Sequence, residues 1–241
     1  MGTFTISSFN TLWGRTPDGT PFDVPAVVAR LDTDVISLQE VWDPTDGGTP
    51  LREAAPELGY QVLHVPLSGS YVDPRPEITA HPDEAAGTWG VALLSRIPIR
   101  STRVVDLGRL LERWDVAERL AILAEVDIDG TPVTVAALHL SFVVPNAAAQ
   151  LRRLSGYLPR HRPSVVAGDC NLWGPLATRM VHGHRRAVRG RTWPAHRPHS
   201  QLDHLLVSHE VDVVDAAVLA PAGSDHLPVR ATLRVPSAGP S

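Results

Sequence analysis

Apolar and polar positions alternate in short runs along most of the chain, and a few stretches switch to helical spacing. Residues 3–9 are apolar and β-branched between Gly2 and Asn10, which predicts a strand. Val24, Val27, Val28 and Leu31 recur at the spacing of one helix face, so residues 24–31 read as a helix. Residues 34–38 (DVISL) read as a buried strand, 51–58 as a short helix and 60–65 as a strand. Residues 66–88, rich in Pro, Gly and acids, read as a loop. Strands are expected at 89–95 and 101–107 around a turn at 96–98. The D-G pair at 129 and 130 predicts a hairpin between 119–128 and 132–140. Residues 146–158 read as a helix capped by Asn146, 164–167 as a short buried strand, and 179–199 as polar and irregular. Strands at 205–208, 211–219 and 227–235 close the pattern, and 236–241 reads as a loose tail.

No internal repeat and no linker divides this pattern. The strands on either side of 66–88 have too few partners to fold alone. Residues 1–235 therefore read as one domain of the α/β class, two sheets covered by helices.

Composition narrows the chemistry. All 22 basic residues are Arg and none is Lys. That excludes Schiff-base chemistry on a side-chain amine and a P-loop lysine, and leaves Arg, His or a metal ion as the source of positive charge in a site. The net charge of −4 argues against a surface built to coat nucleic acid. A single cysteine, Cys170, cannot form an internal disulfide. The first ten residues lack the basic and apolar regions of a signal peptide, and no apolar run is long enough to span a bilayer. The expectation is a cytoplasmic monomer.

Polar clusters stand at the ends of the expected buried strands. Asn10 follows 3–9, Gln39 and Glu40 follow DVISL, and His139 lies near the end of VTVAAL. Asp169 and Asn171 sit in GDCN after SVVA, Asp203 and His204 precede LLVS, and Ser224, Asp225 and His226 precede the last strand. Taken singly, each has an ordinary reading as a turn residue, a helix cap or a strand end. Together they are an oxygen-rich set in one positional context, which suits a hard cation such as Mg²⁺ or Mn²⁺. Zn²⁺ fits less well, with no cysteine cluster and no H-E-x-x-H.

The order Asn10, Gln39-Glu40, His139-Leu140, GDCN, Asp203-His204 and SDHLP resembles the endonuclease/exonuclease/phosphatase superfamily from about residue 3 to residue 235. GVALLSR at 90–96 is similar to that family's central strand. The resemblance implies a four-layer α/β sandwich, two mixed sheets packed face to face and flanked by helices. It implies divalent-metal-dependent hydrolysis of a phosphate ester, with the phosphodiester as the leading substrate. Glu40 would be the principal metal ligand, with Asp225 and Asn10 completing or supporting the shell. Asp169 would position and deprotonate water, Asn171 would bond the phosphate and nucleophile, and His226, oriented by Asp203, would stabilise the transition state. His139 would contact a non-bridging oxygen, and a carboxylate partner for it is not evident in the sequence.

Other residues bear on the substrate. Arg119 opens a central strand and is a candidate phosphate contact. Trp13, Trp42 and Trp173 each follow a motif closely, and Trp193 lies upstream of Asp203; they read either as covers for sheet ends or as a stacking rim. Residues 179–199 hold six Arg and four His without an acid, so Arg185 and Arg186 are candidate contacts to further phosphates of a nucleic acid or a multiply phosphorylated headgroup. A lipid or small-molecule phosphatase, and the same fold recruited for binding or biosynthetic chemistry, stand as alternatives.

Overall fold

In the computed structural model the described residues are 1–44, 49–69, 87–115 and 117–237. They form, in chain order, β1 (Gly2–Asn10), α1 (Val24–Leu31), β2 (Val35–Pro44), α2 (Pro50–Glu57), β3 (Gln61–Gly69), β4 (Gly87–Ser95) and β5 (Ile99–Asp106). The second half gives β6 (Leu120–Ile128), β7 (Thr131–His139), α3 (Val144–Ser155), β8 (Ser164–Asp169), α4 (Gly174–Met180), β9 (His184–Arg186), β10 (Asp203–Ser208), β11 (Asp212–Val218) and β12 (Val229–Val235). Single turns of 3₁₀ helix occur at Leu12–Gly14 and Glu112–Trp114.

The strands make two six-stranded sheets, ordered β11-β12-β1-β2-β4-β3 and β5-β6-β7-β8-β10-β9. Each is mixed: β1 and β2 are parallel, as are β7 and β8, and the other pairs are antiparallel. Alternation along the strands sorts the side chains into layers. Phe4, Ile6, Val91 and Leu93 of the first sheet meet Ile122, Val135, Val165 and Leu205 of the second in the central core. The opposite face of the first sheet, with Ile36, Leu38 and Leu94, is covered by Val27, Val28 and Leu31 of α1 and Leu51 and Ala55 of α2. The outer face of the second, with Leu123, Leu138 and Val166, is covered by Leu151 and Leu154 of α3 and Ala177 of α4. The result is the expected four-layer sandwich.

Local chemistry explains the joints. Asp23 caps α1 by accepting from Ala26 N at 2.9 Å. The 129–130 turn has positive φ at both residues, 49° and 81°, the backbone a two-residue hairpin needs. At Gly168, a Cβ would overlap the Leu138 carbonyl oxygen, so only glycine lets β8 approach β7 this closely.

Several boundaries differ from the sequence reading. Residues 66–69 and 87–88 extend β3 and β4, and the rest of the expected loop, 70–86, lies outside the described residues. Residues 238–241 of the expected tail also lie outside them. The helix expected from Asn146 begins at Val144, and Asn146 is no cap: its buried Oδ1 accepts from Leu110 N and Leu111 N at 3.2 and 2.9 Å. Residues 179–199 are not irregular throughout, because α4 ends within them and β9 pairs with β10.

Candidate functional site

Strand register builds the site from both sheets. In the second sheet His139 pairs with Asp169 and Asp169 with Asp203, which sets the three side chains in a row across β7, β8 and β10. In the first sheet Asn10, the last residue of β1, pairs with Gln39 midway along β2. A β-bulge between Leu38 and Val41, with Glu40 at φ 53°, interrupts the pairing of β2 at this point. Asn171, at φ 48°, makes the matching turn after β8. Left-handed backbone at two non-glycine residues is strained, and both strained residues face the same cluster.

Asn10 joins the two rows. Its Nδ2 donates to Glu40 Oε1 at 3.0 Å and to Asp169 Oδ2 at 3.2 Å. Its Oδ1 accepts from Leu12 N at 3.0 Å, which fixes which end of the amide is oxygen. Asn10 thus presents its amide hydrogens to the two carboxylates, the geometry of a residue that supports the expected metal shell.

Glu40 carries the cost of its position. Burial raises its carboxyl from the usual 4.5 to about 7; the Asn10 hydrogen bond and His226 oppose that rise, and Asp225 and Asp169 add to it. Its Oε2 is buried with no hydrogen-bond partner among the described residues.

Asp203 and His226 form a buried pair, with His226 Nδ1 2.9 Å from Asp203 Oδ2. Burial pushes this imidazole down, but Asp203, Asp169 and Asp225 together outweigh it and raise it to about 10, so it is charged at neutral pH. Its Nε2 lies 3.8 Å from Asp169 Oδ2 and 4.0 Å from Asp225 Oδ1. His139 is the opposite case. Burial pushes it down to about 3 against the attraction of Asp169, with Arg119 and His226 reinforcing the fall. It is a neutral ring whose Nε2 lies 3.6 Å from Asp169 Oδ2, 3.8 Å from Glu40 Oε1 and 3.4 Å from Asn171 Nδ2. Asn171 also donates to Leu140 O at 3.0 Å. Two imidazoles in opposite charge states thus flank one carboxylate, Asp169.

Asp225 is held from outside the motifs. Trp193 Nε1 donates to Asp225 Oδ2 at 3.0 Å, and Ala195 N donates to Asp225 O at 2.6 Å. Thr192 Oγ1 accepts from Leu202 N and Asp203 N at 3.1 and 3.2 Å, so the same short segment braces both Asp225 and Asp203.

The structure brings Asn10, Glu40, His139, Asp169, Asn171, Asp203, Asp225 and His226 together. The expected arginines are each held by protein acceptors. Arg119 is buried behind His139, with Nε and Nη2 on Asp115 at 2.9 and 2.8 Å and Nη1 on the His139 carbonyl at 3.4 Å. Arg185 Nη2 donates to Val211 O and Arg186 Nη1 to Gln201 Oε1, and both belong to β9 at the sheet edge. Trp173 is exposed, two residues beyond Asn171. Sequence reasoning missed Asp115, whose i,i+4 spacing to Arg119 was the available signal, and Trp89, which packs 5.7 Å from the His139 ring. Cys170 is buried, and burial holds its thiol well above the usual range, so it is inert packing.

None of the curated proteins matches the chain by sequence. Among solved structures, an endonuclease/exonuclease/phosphatase from Beutenbergia cavernae is similar at 23% identity, with a TM-score of 0.77 over 98% of this chain and 72% of that one. A mannosyl-6-phosphatase from Bacteroides thetaiotaomicron is similar at 15% identity and TM-score 0.69, covering 96% and 99% of the two chains. ANGEL2, a 2',3'-cyclic phosphatase, is similar at 15% identity and TM-score 0.66, covering 97% and 96%. The sequence pattern of the Endonuclease/Exonuclease/phosphatase family runs across residues 7–226, through every motif of the cluster, and the chain belongs to that family.

Proposed function

We propose that this chain hydrolyses a phosphodiester with the help of a divalent cation such as Mg²⁺, bound by Glu40 and Asp225. Members of the family are phosphoester hydrolases. The observation that carries the reading is the pairing of charge states around Asp169: an imidazolium, His226, on one side and a neutral imidazole, His139, on the other.

The donor set fits a hard cation. Glu40 Oε2 is an unpartnered buried carboxylate oxygen, and a bound cation would relieve the burial that raises its pKa. Asp169, Asp203 and His226 also bring three potential ligand atoms within 4.8 Å of one another. Their His226–Asp203 contact is already a hydrogen bond, so we read that group as proton-handling machinery and place the cation at Glu40. When bound, the cation neutralises phosphate charge and lowers the cost of releasing the leaving oxygen.

The protein supplies the rest. Asp169 orients the attacking water and takes its proton. His226, kept charged and aimed by Asp203, donates to a phosphoryl oxygen as charge builds there. Asn171 and His139 hold a non-bridging oxygen on the other side. Asn10 keeps Glu40 and Asp169 at fixed separation, and Trp193 fixes the Asp225 carboxylate.

The test is hydrolysis of bis(p-nitrophenyl) phosphate with Mg²⁺, with EDTA as control. Loss of turnover in Glu40→Ala and His226→Ala is expected. Equal rates in wild type and both variants would overturn the reading.

A further inference from the structure

The first two residues of β10 point to opposite faces of the second sheet. Leu205 and Val207 lie in the central core and Leu206 in the outer one, so alternation puts Asp203 on the inner face and His204 on the outer. Asp203 meets His226 there. His204 points away from the reacting groups, and its imidazole is fully buried.

Its hydrogen bond says what the imidazole supplies. His204 Nε2 lies 2.9 Å from Leu172 O, and a carbonyl oxygen only accepts, so Nε2 carries the proton. Burial pushes the imidazole down to about 4, so the ring is neutral and Nδ1 is a bare acceptor. That buried Nδ1 has no hydrogen-bond partner among the described residues. An orphaned buried acceptor is a desolvation cost that an apolar side chain of similar volume avoids. What the imidazole adds over such a side chain is the proton it gives to Leu172 O.

Leu172 follows Asn171, which is held in left-handed backbone at φ 48°. A non-glycine residue keeps that conformation only where its surroundings enforce it. The turn is tied on both sides of Asn171. Ahead of it, Cys170 N donates to Leu202 O at 2.9 Å, and Asp169 Oδ1 accepts from Asn171 N at 2.9 Å. Behind it, His204 holds the Leu172 carbonyl. Arg186 closes the far end: a Cβ at Gly174 would overlap its guanidinium, and its Nη1 donates to Gln201 Oε1 at 3.0 Å. Between these ties Asn171 Nδ2 reaches Leu140 O at 3.0 Å and stands 3.4 Å from His139 Nε2. Release of the Leu172 carbonyl frees the backbone after Asn171 and lets this amide swing out of line.

We infer that His204 is a positioning residue, which holds Asn171 through Leu172 O in the conformation that aims its amide at the phosphate oxygen. The inference rests on the phosphoesterase reading, in which Asn171 bonds that oxygen. The start of β10 then serves both sides of the reacting centre, Asp203 through His226 and His204 through Asn171.

The experiment compares the intact chain with two variants. His204→Phe fills the site and deletes the donor, and His204→Met takes its place if the Phe variant does not fold. His204→Gln keeps an N–H that can reach the same carbonyl. Turnover of bis(p-nitrophenyl) phosphate with Mg²⁺ is measured as a function of pH. The Asn171 side-chain amide resonance is followed by NMR in the metal-free protein. His204→Phe is expected to lower kcat about 10–100-fold with KM little changed, because the misplaced amide serves the transition state. Its Asn171 resonance is expected to shift or broaden, and the basic limb of the pH–rate profile to stay where wild type has it. His204→Gln is expected to recover both turnover and resonance. Asn171→Gly keeps the left-handed turn without the amide, and in that background His204→Phe is expected to add no further loss.

The proposal is overturned if the donor-less variant keeps the wild-type kcat, or if its loss is as large in the Asn171→Gly background. It is also overturned if the basic limb moves as in Asp203→Asn, which routes the effect through His226. A glutamine variant that recovers neither readout overturns it too, since the ring then acts by packing alone. A wild type that cleaves no diester refutes the phosphoesterase reading instead; the Asn171 resonance, read without metal or substrate, then decides the positioning role.

Discussion

Glu40→Gln should make the metal-free protein more stable. A carboxylate held in this site is ionised at a cost, because burial has raised its pKa from 4.5 to about 7. Each pH unit of that difference corresponds to about 1.4 kcal/mol, so the charged form costs the folded state about 3 kcal/mol. The side chain is only 16% exposed, so solvent screens little of this. The sign follows from proton counting. Between pH 4.5 and about 7 the folded chain holds a proton that the unfolded chain has lost, so stability falls as pH rises through this window. Above about 7 the cost is fully present, and below 4.5 it is gone. Glutamine mimics the protonated acid and removes the cost at every pH. The assay is thermal unfolding in EDTA at pH 8 and pH 5, followed by the same scans with Mg²⁺. At pH 8 the variant should melt roughly 6–12 °C above wild type, since a domain of this size shifts about 2–4 °C per kcal/mol. At pH 5 the gap should nearly close. Mg²⁺ should raise the wild-type transition and leave the variant's unchanged. A variant that melts at or below wild type at pH 8 in EDTA, or a gap independent of pH, refutes the claim that this carboxylate is stored at a cost for a cation.

Asp203→Asn should lower turnover by about 10²–10⁴ and bring the basic limb of the pH–rate profile down from near 10, because His226 loses the carboxylate that raises it most. His226 also links pH to stability: its raised pKa contributes stability that is full below 6.5 and lost as pH rises through about 10, so wild type should lose more stability across this window than Asp203→Asn, measured by urea unfolding at pH 6 and pH 10. Trp193→Phe keeps an aromatic ring, smaller than the indole, and deletes the donor to Asp225; Mn²⁺ affinity measured by calorimetry without substrate should fall about 10–100-fold at a nearly unchanged melting temperature. Asp115→Asn leaves the buried Arg119 without its counter-charge and should cost about 3–5 kcal/mol in urea unfolding.

Much of the architecture was legible because alternation has a single physical cause. A strand with one face in the central core and the other under a helix must bury both faces, and stretches such as 34–38 and 164–167 say so in their composition. Element ends were less legible. Residues 66–69 carry a Pro and a Gly and look like a loop, yet they complete β3 because β4 supplies a partner across the sheet. Asn146 sits three residues after Val143, where a cap would be plausible from local sequence. Its oxygen is instead taken by a distant segment, 110–111, which local reasoning cannot see.

The candidate site shows the same division more sharply. Which residues belong together could be read from the order of the motifs, because Asn10, His139, Asp169 and Asp203 stand at strand ends that register brings side by side, while Glu40 joins them from a bulge inside β2. What each residue does could not. His139 and His226 are the same residue type at two strand ends, and only burial against different partners makes one neutral and the other charged. Arg119, Arg185 and Arg186 looked like phosphate ligands by type, but each guanidinium is engaged by a protein acceptor. Trp193 read either as a cover for a sheet end or as a stacking rim, and neither reading foresaw that its indole nitrogen donates to Asp225. A side chain's chemistry is fixed by the groups already bonded to it. Those partners sit 32 residues from Trp193 and 23 from His226 along the chain, a distance over which only the folded backbone carries information. The motifs therefore locate the reacting centre, and the bracing residues between the motifs set its protonation states and orient its carboxylates.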